Sequence, residues 1–484
     1  MPLPSLPSPY GIGTIGKEAR EFIDFLSAAG QKYWQLLPLG PTGFGDSPYS
    51  SFSTFAGNPY LIDLDILIDE GLLDKVDVNT IDWGCNEEYI DYGKIYTNRE
   101  NVLKKAYRRI PSSLHAEIGV FAENNLWLEN YAVFMALKHK FNMSSWIEWP
   151  DEKLVVHDSI AVRNAALELE DEIDFYKFVQ YEFFHQWDLL RDYAKGKDID
   201  FIGDVPIYAA LDSADVWSEP ELFQLDENHR PIRVAGCPPD AFNDDGQLWG
   251  NPLYDWNKMK KNQYNWWVRR IEGASRLYDI VRIDHFRGFD SYWSIPAHDK
   301  TARNGKWLRG PGLPLVKALQ TNFPTLGFIA EDLGYLTERV KKLVDDSGFP
   351  GMKVLEFAFD SHGDSIYLPH NFGKNSVCYI GTHDNDTVLG WISTLSEKEI
   401  SFAADYIKLK DNEPWNWALI RTGMDSAASL FVVQFQDVLG LGSEGRINIP
   451  GTLHGNWRWR MKKGALSESI ANKLLKYTKN GNRC

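Results

Sequence analysis

The sequence lacks the features that mark several large classes of protein. No stretch approaches the roughly 20 consecutive apolar residues that are needed to cross a bilayer. The opening MPLPSLPSPYG has neither the basic nor the apolar region of a secretory signal. Cysteine is scarce, because the chain has 4 among 484 residues, with no CxxC pair and no zinc spacing. We therefore expect reduced thiols, a cytoplasmic location and no contact with a membrane.

Positive charge is also in short supply. The chain has 51 basic against 67 acidic residues, which gives a formal net charge of -16. This balance disfavours nucleic acid and anionic membrane surfaces as partners. The other residue totals, 44% hydrophobic and 24% charged, are those of an ordinary globular protein with an ample core.

Familiar cofactor motifs are missing or out of place. There is no P-loop, HExxH or GxSxG. GIGTIG at 11–16 matches GxGxxG, but four prolines stand where a nucleotide-binding strand is required, so we do not expect nucleotide binding. HDND at 383–386 has metal-ligand residue types, yet no second cluster at ligand spacing accompanies it. We expect no cofactor and no metal.

Aromatic residues, in contrast, are abundant. The chain contains 18 Trp, 22 Tyr and 26 Phe. One interpretation is a large aromatic core, and the other is a groove whose flat rings stack on the apolar faces of sugars. Composition leaves both interpretations open.

Short apolar runs that end in polar groups recur along the chain. We predict seven strands, at 32–40, 198–208, 278–286, 326–334, 352–360, 376–386 and 429–439. Their continuous hydrophobicity is typical of parallel strands that are covered on both faces. Helical stretches lie between most of them, which favours a (β/α) barrel or a doubly wound sheet. The strand count favours the barrel, so we predict a (β/α)8 TIM barrel.

Uneven spacing between the runs locates the insertions. We assign residues 1–60 and 196–484 to the catalytic barrel, and 61–195 to an inserted, mainly helical subdomain. A second insertion, 209–262, is rich in Pro, Gly, Asn and Asp. Loops this long are usually functional, so we expect it to cover the C-terminal mouth of the barrel.

Charged groups fall where the predicted strands end. Asp204 closes one strand, Arg282 and Asp284 close the next, and Glu331 with Asp332 follows GFIA. His383 and Asp384 follow CYIGT. In a parallel barrel these ends meet at one mouth, where the active sites of such barrels lie. Convergence of several carboxylates with an Arg and a His indicates acid/base chemistry more strongly than packing.

The chemistry that best matches this group is glycosyl transfer. One carboxylic acid protonates the leaving oxygen, and one carboxylate meets the oxocarbenium-like carbon. We predict Asp284, kept ionised by Arg282, as the nucleophile and Glu331 as the acid and then the base. Asp384 and His383 are predicted to hold ring hydroxyls.

The motifs that carry these residues are similar to those of a known family. GDVPIY, VRIDHFRGF, AEDLG and GTHDND resemble the four motif regions of the α-amylase clan. Together with SLPSPYGIG, YWQLLPLGPTGFGDSPYSSFSTFAGNPYLID, GNPLYDW and GNWRWR, they resemble its 4-α-glucanotransferase branch, glycoside hydrolase family 77, the amylomaltases or disproportionating enzymes. The resemblance covers nearly the whole chain in order.

The resemblance implies a role for each matching position. Asp284 is the nucleophile, Glu331 the acid/base and Asp384 the stabiliser of the distorted donor sugar, while Arg282 and His383 support them. The implied substrate-binding residues are Ser47, Tyr49, Asp204, Asp240, Trp249, Asn251 and Asn448. Of these, Tyr49 is expected to stack on the sugar, and Asp240, Trp249 and Asn251 belong to the cleft-covering loop. For Tyr49, Trp249 and Asn448, plain packing remains the alternative.

The same resemblance implies a 4-α-glucanotransferase that acts on maltodextrin, maltose and glucans derived from starch or glycogen. It needs no cofactor, and the expected assembly is a monomer or a weak homodimer. Three alternatives stay open: an α-amylase-type hydrolase, a non-catalytic sugar-binding protein and a metal-dependent isomerase or lyase. Members of the branch carry an apolar strand before SLPSPYGIG, whereas only Met1 to Pro4 precede it here. We therefore expect the first barrel strand to be vestigial or missing.

Overall fold

Two sheets organise the chain in the computed structural model, which describes residues 1–43, 45–239, 244–334, 336–360 and 363–483. The strands are β1 (Tyr33–Gln35), β2 (Asp200–Val205), β3 (Arg233–Cys237), β4 (Gln247–Pro252), β5 (Ile280–Ile283), β6 (Ser291–Pro296), β7 (Lys306–Arg309), β8 (Gly327–Ala330), β9 (Gly351–Val354), β10 (Ser376–Tyr379) and β11 (Leu430–Val432).

The larger sheet forms the wall of a barrel. Its order is β1-β2-β5-β8-β9-β10-β11, and every neighbouring pair is parallel. Six of the seven predicted runs contain one of these strands entirely, and β9 begins one residue before the run 352–360. The predicted (β/α)8 class is confirmed by the nearly closed parallel sheet and its surrounding helices. Inside the barrel, the buried side chains of Ile202, Ile329, Met352, Val354 and Tyr379 pack together.

Helices connect and surround the strands. They are α1 (Lys17–Ala28), α2 (Leu64–Asp69), α3 (Lys75–Asn79), α4 (Tyr92–Tyr107), α5 (Ser112–Asn124), α6 (Trp127–Lys140), α7 (Glu152–Val155), α8 (Ser159–Glu168), α9 (Glu170–Lys195), α10 (Ala214–Ser218), α11 (Trp256–Lys261), α12 (Asn265–Leu277), α13 (Leu313–Asn322), α14 (Glu338–Ser347), α15 (Val388–Ile392), α16 (Glu397–Ile407), α17 (Trp415–Met424), α18 (Phe435–Leu439) and α19 (Glu468–Asn480). None of the helices in the described ranges is long and apolar enough to cross a membrane.

Local signals place several of these helices correctly. Helix α14 begins after Thr337, whose side chain accepts a hydrogen bond from the Val340 amide, and ends at Gly348 in the left-handed region with φ 70°. The sequence accounts for both ends, because Thr is a good N-cap and Gly tolerates positive φ. Within the 61–195 segment, which was predicted to be mainly helical, α5 and α6 follow each other with a short break between them.

Helices α2 to α9 fill the long connection between β1 and β2. Many of the large aromatic side chains are core residues, as one of the two interpretations held. The fully buried tryptophans are Trp34, Trp146, Trp187, Trp217, Trp266 and Trp267. Since aromatic rings bury the largest areas, these side chains account for much of the apolar packing.

The second sheet is antiparallel, with the order β4-β3-β6-β7. Strands β3 and β4 come from the predicted 209–262 insertion, and β6 and β7 come from the chain that follows β5. The sequence predicted a long loop at 209–262, whereas β3 and β4 are extended strands within it. Their register is irregular between Val234 and Gly236, and β4 is largely exposed, so neither strand shows a long apolar pattern.

A buried carboxyl group in α9 leads us to expect that the stability of the protein depends on pH. Glu182 is 1% exposed, and its Oε2 has no hydrogen-bond partner among the described residues. Burial raises the pKa of Glu182 to about 8, and the nearby Glu70 carboxylate adds to the rise. Folding therefore retains a proton that the unfolded chain releases above its ordinary pKa of 4.5. The free energy of unfolding falls as pH rises between these two values.

We expect Glu182→Gln to remove this dependence. Its thermal midpoint should match that of the parent near pH 5 and exceed it increasingly toward pH 8, with up to about 1.4 kcal/mol gained per pH unit. Thermal unfolding at several pH values measures the difference. Glu170→Gln, an exposed change on the same helix, is the matched control. Parallel pH curves for Glu182→Gln and the parent would contradict the prediction.

Candidate active site

Sheet register places four of the predicted residues side by side at the C-terminal mouth of the barrel. Asp204 of β2 pairs with Arg282 of β5, and Ile283 pairs with Ala330 of β8. Asp284 and Glu331 each follow the last of these paired residues directly. The Glu331 amide donates to the Ile283 carbonyl at 3.1 Å, which continues the ladder to the mouth. The two carboxyl groups therefore leave neighbouring strands at the same level.

Arg282 connects the acidic groups on two strands. Its Nη1 donates to both Asp204 carboxylate oxygens at 2.6 and 2.7 Å, and to Asp284 Oδ1 at 3.3 Å. The side chains of Arg282 and Asp204 are 5% and 1% exposed. An unpaired ion at such a depth is costly, so each charge requires the other. This pairing explains why a buried strand ends in Arg-x-Asp.

Glu331 is fixed by backbone amides. The His285 amide donates to its Oε2 at 2.6 Å, and the Leu333 amide donates to its Oε1 at 2.8 Å. His285 has φ 51°, in the left-handed region, which turns the chain just after Asp284. Such strain in a residue other than glycine is concentrated at functional sites. The turn after Asp284 thus also sets the position of Glu331.

The two carboxyl groups hold a proton more tightly than isolated ones do. Burial raises the pKa of Asp284 well above its usual range; Arg282 opposes the rise, and the carboxylates of Asp204 and Glu331 add to it. Burial also raises the pKa of Glu331, against the effect of Arg282 and of the two amides. Because like charges at close range cannot both ionise easily, the pair titrates as a unit. Direct contact with Arg282 favours the negative charge on Asp284.

His383 and Asp384 lie on the loop after β10 and face the same mouth. His383 Nε2 is 3.4 Å from Asp384 Oδ1, and burial lowers the pKa of His383, so its ring is neutral. The Tyr49 ring stacks on the His383 ring with centroids 5.0 Å apart. The Tyr49 hydroxyl donates to Asp204 Oδ2 at 2.6 Å. Tyr49 thereby contacts both Asp204, at the end of β2, and His383, on the loop after β10.

We expect Tyr49→Phe to lower kcat/KM about tenfold or more. The change keeps the ring but removes a hydrogen bond to a charged group, of a kind worth about 1.5–3 kcal/mol. The initial rate with maltotriose, a member of the substrate class that the resemblance implies, measures the effect. Tyr10→Phe is the matched control, since its hydroxyl makes an equivalent 2.7 Å bond to Asp65 outside the set of predicted site residues. Equal activity in the two variants would contradict the prediction.

Two residues from the 445–451 segment hold Asp384. Asn448 Nδ2 donates to Asp384 Oδ1 at 2.6 Å, and Arg446 Nη2 donates to the Asp384 carbonyl at 2.9 Å. Arg446 was missed by the sequence analysis, although it lies only two residues before Asn448, in GRINIPG at 445–451. Trp457, also missed, lies with its ring centroid 5.9 Å from Tyr49 and 5.7 Å from His383. The only feature of the sequence that drew attention to Trp457 was its place in the GNWRWR motif.

The other predicted positions lie around this centre. Trp249 is 37% exposed, and its ring meets the His285 ring edge-on at a centroid distance of 4.9 Å. Ser47 Oγ accepts a hydrogen bond from the Tyr49 amide at 3.3 Å. Asn251 donates to the Ala209 carbonyl, so its amide supports the chain after β2. Asp240 lies outside the described residues.

A group with metal-ligand atoms close together occurs away from the mouth. Glu100, His139 and Glu172 are the one such group found within the part of the chain that the structure describes. Lys104 Nζ lies 2.9 Å from Glu100 and 2.8 Å from Glu172. Its ammonium already neutralises these carboxylates, so the group carries no case for a metal.

Comparison with known proteins identifies the family to which the chain belongs. The family model described as 4-alpha-glucanotransferase, glycoside hydrolase family 77, matches residues 1–467. A 4-alpha-glucanotransferase of Clostridium butyricum is 50% identical over 487 residues, covering 100% of both chains. That of Thermus thermophilus is 47% identical over 475 residues, covering 96% of this chain and 94% of its own. The chain belongs to the 4-alpha-glucanotransferase family.

Structural comparison agrees with this family. The amylomaltase from Streptococcus agalactiae, solved in complex with acarbose, superposes with a TM-score of 0.98 at 41% identity, over 100% of this chain and 98% of that one. The amylomaltase from Corynebacterium glutamicum shares the fold, with a TM-score of 0.77 at 16% identity over 100% and 74% of the two chains. The chain is therefore an enzyme, a 4-alpha-glucanotransferase, and the hydrolase alternative is not supported.

Proposed function

We propose that this 4-alpha-glucanotransferase works by a retaining double displacement, in which Asp284 is the nucleophile and Glu331 the acid/base. The observation that carries the proposal is the placement of the two carboxyl groups on adjacent strands, with Arg282 against Asp284 and the His285 amide against Glu331. Retaining glycosidases use carboxyl groups about 5 Å apart, and adjacent strands provide such spacing.

In the first step, an Asp284 oxygen attacks the anomeric carbon of a 1,4-α-glucan donor. The bond from this carbon to the glycosidic oxygen breaks, and Glu331 gives its proton to that oxygen. The products are a glucosyl ester on Asp284 and a shorter glucan with a free 4-OH. Arg282 and Tyr49 keep Asp204 and Asp284 in place through their hydrogen bonds.

In the second step, the 4-OH of glucose or of another glucan attacks the same carbon. Glu331, now ionised, takes the hydroxyl proton, and the ester bond to Asp284 breaks. Asp384, held by Asn448, contacts the hydroxyls of the distorted donor sugar. His383, as a neutral ring, donates or accepts one hydrogen bond to the same sugar.

We further propose that the substrates are maltodextrin, maltose and glucans derived from starch or glycogen, and that the enzyme acts in the cytoplasm. Exposed aromatic surface beside the carboxylates supports a sugar substrate, because Trp249 lies next to His285. The scattered cysteines support the location.

Transfer requires an acceptor that reaches the intermediate before water does. Strands β3 and β4 carry Trp249 to the side of the mouth where Asp284 lies, and the pair is joined to β6. We propose that this side of the cleft binds the acceptor and excludes water. The bound acceptor glucan itself completes the exclusion of water from the cleft.

Incubation with maltotriose alone tests the proposed reaction. We expect longer maltodextrins and free glucose, with a constant number of reducing ends, because each transfer breaks one glycosidic bond and forms another. Chromatography of the products and a reducing-end assay on the same samples measure both quantities. A steady rise in reducing ends would indicate hydrolysis and contradict the proposal. Activity that EDTA abolishes and a divalent ion restores would indicate metal-dependent chemistry instead.

A further inference from the structure

A further carboxyl group lies at the mouth of the barrel and has no part in the mechanism proposed above. Glu356 follows the end of β9 by two residues, and its amide donates to the Ile380 carbonyl at 3.1 Å, which continues the pairing of β9 with β10. Its side chain is buried against the next loop, because a Cβ atom built on Gly381 would lie 2.8 Å from Glu356 Oε1. The carboxyl group therefore contacts the loop that carries His383 and Asp384.

Asn385 connects Glu356 to the turn that holds Asp384. A hydrogen bond joins the Asn385 side chain to the Glu356 carboxyl group. Asn385 Oδ1 accepts hydrogen bonds from the Thr382 amide at 2.9 Å and from the Thr382 hydroxyl at 3.0 Å. The same hydroxyl oxygen accepts a hydrogen bond from the Asp384 amide at 3.3 Å. Glu356 thus orients Asn385, and through this turn it supports the backbone of Asp384.

The surroundings of Glu356 are mainly acidic. Charged groups on three other segments act on it, namely Asp437 in α18, Asp386 after β10 and Arg446 in the 445–451 segment. Arg446 Nη1 lies 3.8 Å from Asp386 Oδ2, so the guanidinium charge is shared with that carboxylate. Glu356 Oε1 and Asp437 Oδ2 are both buried and have no hydrogen-bond partner among the described residues. Three carboxyl groups therefore share one nearby cation.

This arrangement favours an uncharged Glu356. Burial of an ion without a close opposite charge is costly, whereas a neutral acid still offers an oxygen to the Asn385 amide. Burial raises the pKa of Glu356 well above its usual range; the carboxylates of Asp437 and Asp386 add to the rise, and Asn385 and Arg446 oppose it. Burial also raises the pKa of Asp437, to about 7. A negative charge on Glu356 would repel Asp386, which lies two residues after Asp384.

We propose that Glu356 is a positioning residue that, as an uncharged acid, holds Asn385 and through it the loop of Asp384. Asn448 and Arg446 hold Asp384 by direct hydrogen bonds, and Glu356 adds a support that comes from β9. This inference rests on the role proposed for Asp384 as the stabiliser of the distorted donor sugar. It requires no contact between Glu356 and the substrate, because the effect reaches the sugar through Asp384.

Two substitutions separate the position of the Glu356 side chain from its acidity. Glu356→Gln keeps the length and the acceptor oxygen without a charge, so kcat with maltotriose should stay within about twofold of the parent value. Glu356→Asp withdraws the carboxyl group by one methylene and should lower kcat about tenfold or more, with KM within about threefold, because small displacements of reacting groups are costly. Glu182→Gln, at another buried glutamate, is the control and should keep the parent kcat. All rates are expressed per folded enzyme, with the folded fraction taken from thermal unfolding.

The outcomes of these measurements decide between roles. Equal losses of kcat in Glu356→Gln and Glu356→Asp would show that the charge matters and would overturn the proposal. A lowered thermal midpoint with unchanged kcat in Glu356→Asp would indicate a merely structural role and overturn it too. Should Glu356→Asp fail to fold, Asn385→Ala breaks the same connection and must lower kcat. The infrared difference between the parent and Glu356→Gln at neutral pH must also show the carbonyl stretch of a protonated acid, and its absence would overturn the proposal.

Asp384→Asn separates this inference from the role proposed for Asp384. Normal kcat in Asp384→Asn would remove that role and this inference together. A loss there, with normal kcat in Glu356→Asp, would overturn the inference alone. Where both single variants lose activity, the double variant should be within about twofold of Asp384→Asn, since Glu356 acts through Asp384. Additive losses in the double variant would contradict the proposed connection.

Discussion

Replacement of Asp284 by alanine is expected to abolish transfer from maltotriose, with a loss of about 10⁴-fold or more in kcat. Without the carboxylate no ester can form at the anomeric carbon, and the remaining groups cannot substitute for covalent catalysis. Initial rates of glucose release measure the loss. Asp411→Ala, at an exposed position, is the control for a carboxylate lost elsewhere.

The fold should tolerate the Asp284 change. Burial raises the pKa of Asp284 against the effect of Arg282, and the neighbouring carboxylates add to the rise, so we expect its charge to cost stability in the folded state. The thermal midpoint of Asp284→Ala should therefore equal or exceed that of the parent at neutral pH. Near-normal activity in this variant would remove Asp284 from the mechanism, whereas inactivity with a collapsed midpoint would indicate a structural role.

Replacement of Glu331 should separate the two steps of the reaction. With glucan donors, Glu331→Gln and Glu331→Ala are expected to lose about 10²–10⁴-fold or more, since proton donation to the glycosidic oxygen is lost. A maltosyl fluoride donor needs little protonation of its leaving group, so the first step should survive. The second step still lacks its base. The glycosyl ester on Asp284 should therefore accumulate and be visible by mass spectrometry.

Two controls make the Glu331 result specific. Azide attacks without a general base, so it should restore turnover of the fluoride donor in Glu331→Ala and give a glycosyl azide of retained configuration. The double variant Asp284→Ala, Glu331→Ala should form no adduct. If azide restores nothing and no ester appears, Glu331 is not the acid/base, even if the single variant is inactive.

The barrel strands were predictable because one physical pattern marks them. Each is covered by the barrel interior on one side and by helices on the other, so its sequence is a continuous apolar run. The second sheet has no such pattern. Strand β4 has exposed residues, including Trp249, and its pairing with β3 is irregular, so its sequence resembled a loop.

The arrangement of the site was predictable only in part, for a related reason. Asp204, Asp284 and Glu331 lie at strand ends, and parallel topology brings strand ends together. Tyr49, Arg446 and Trp457 approach the same place from loops far away in the chain. No periodicity signals such approaches, and only similarity to a family drew attention to Tyr49.

The small antiparallel sheet links Trp249 to the proposed nucleophile Asp284. Strands β3 and β4 are fastened to β6, and β6 begins seven residues after Asp284, with the short helical turn Phe286–Phe289 between them. The residue just before that turn, His285, donates its amide to Glu331. The sheet that carries Trp249 and the backbone that positions Asp284 and Glu331 are therefore parts of one continuous segment.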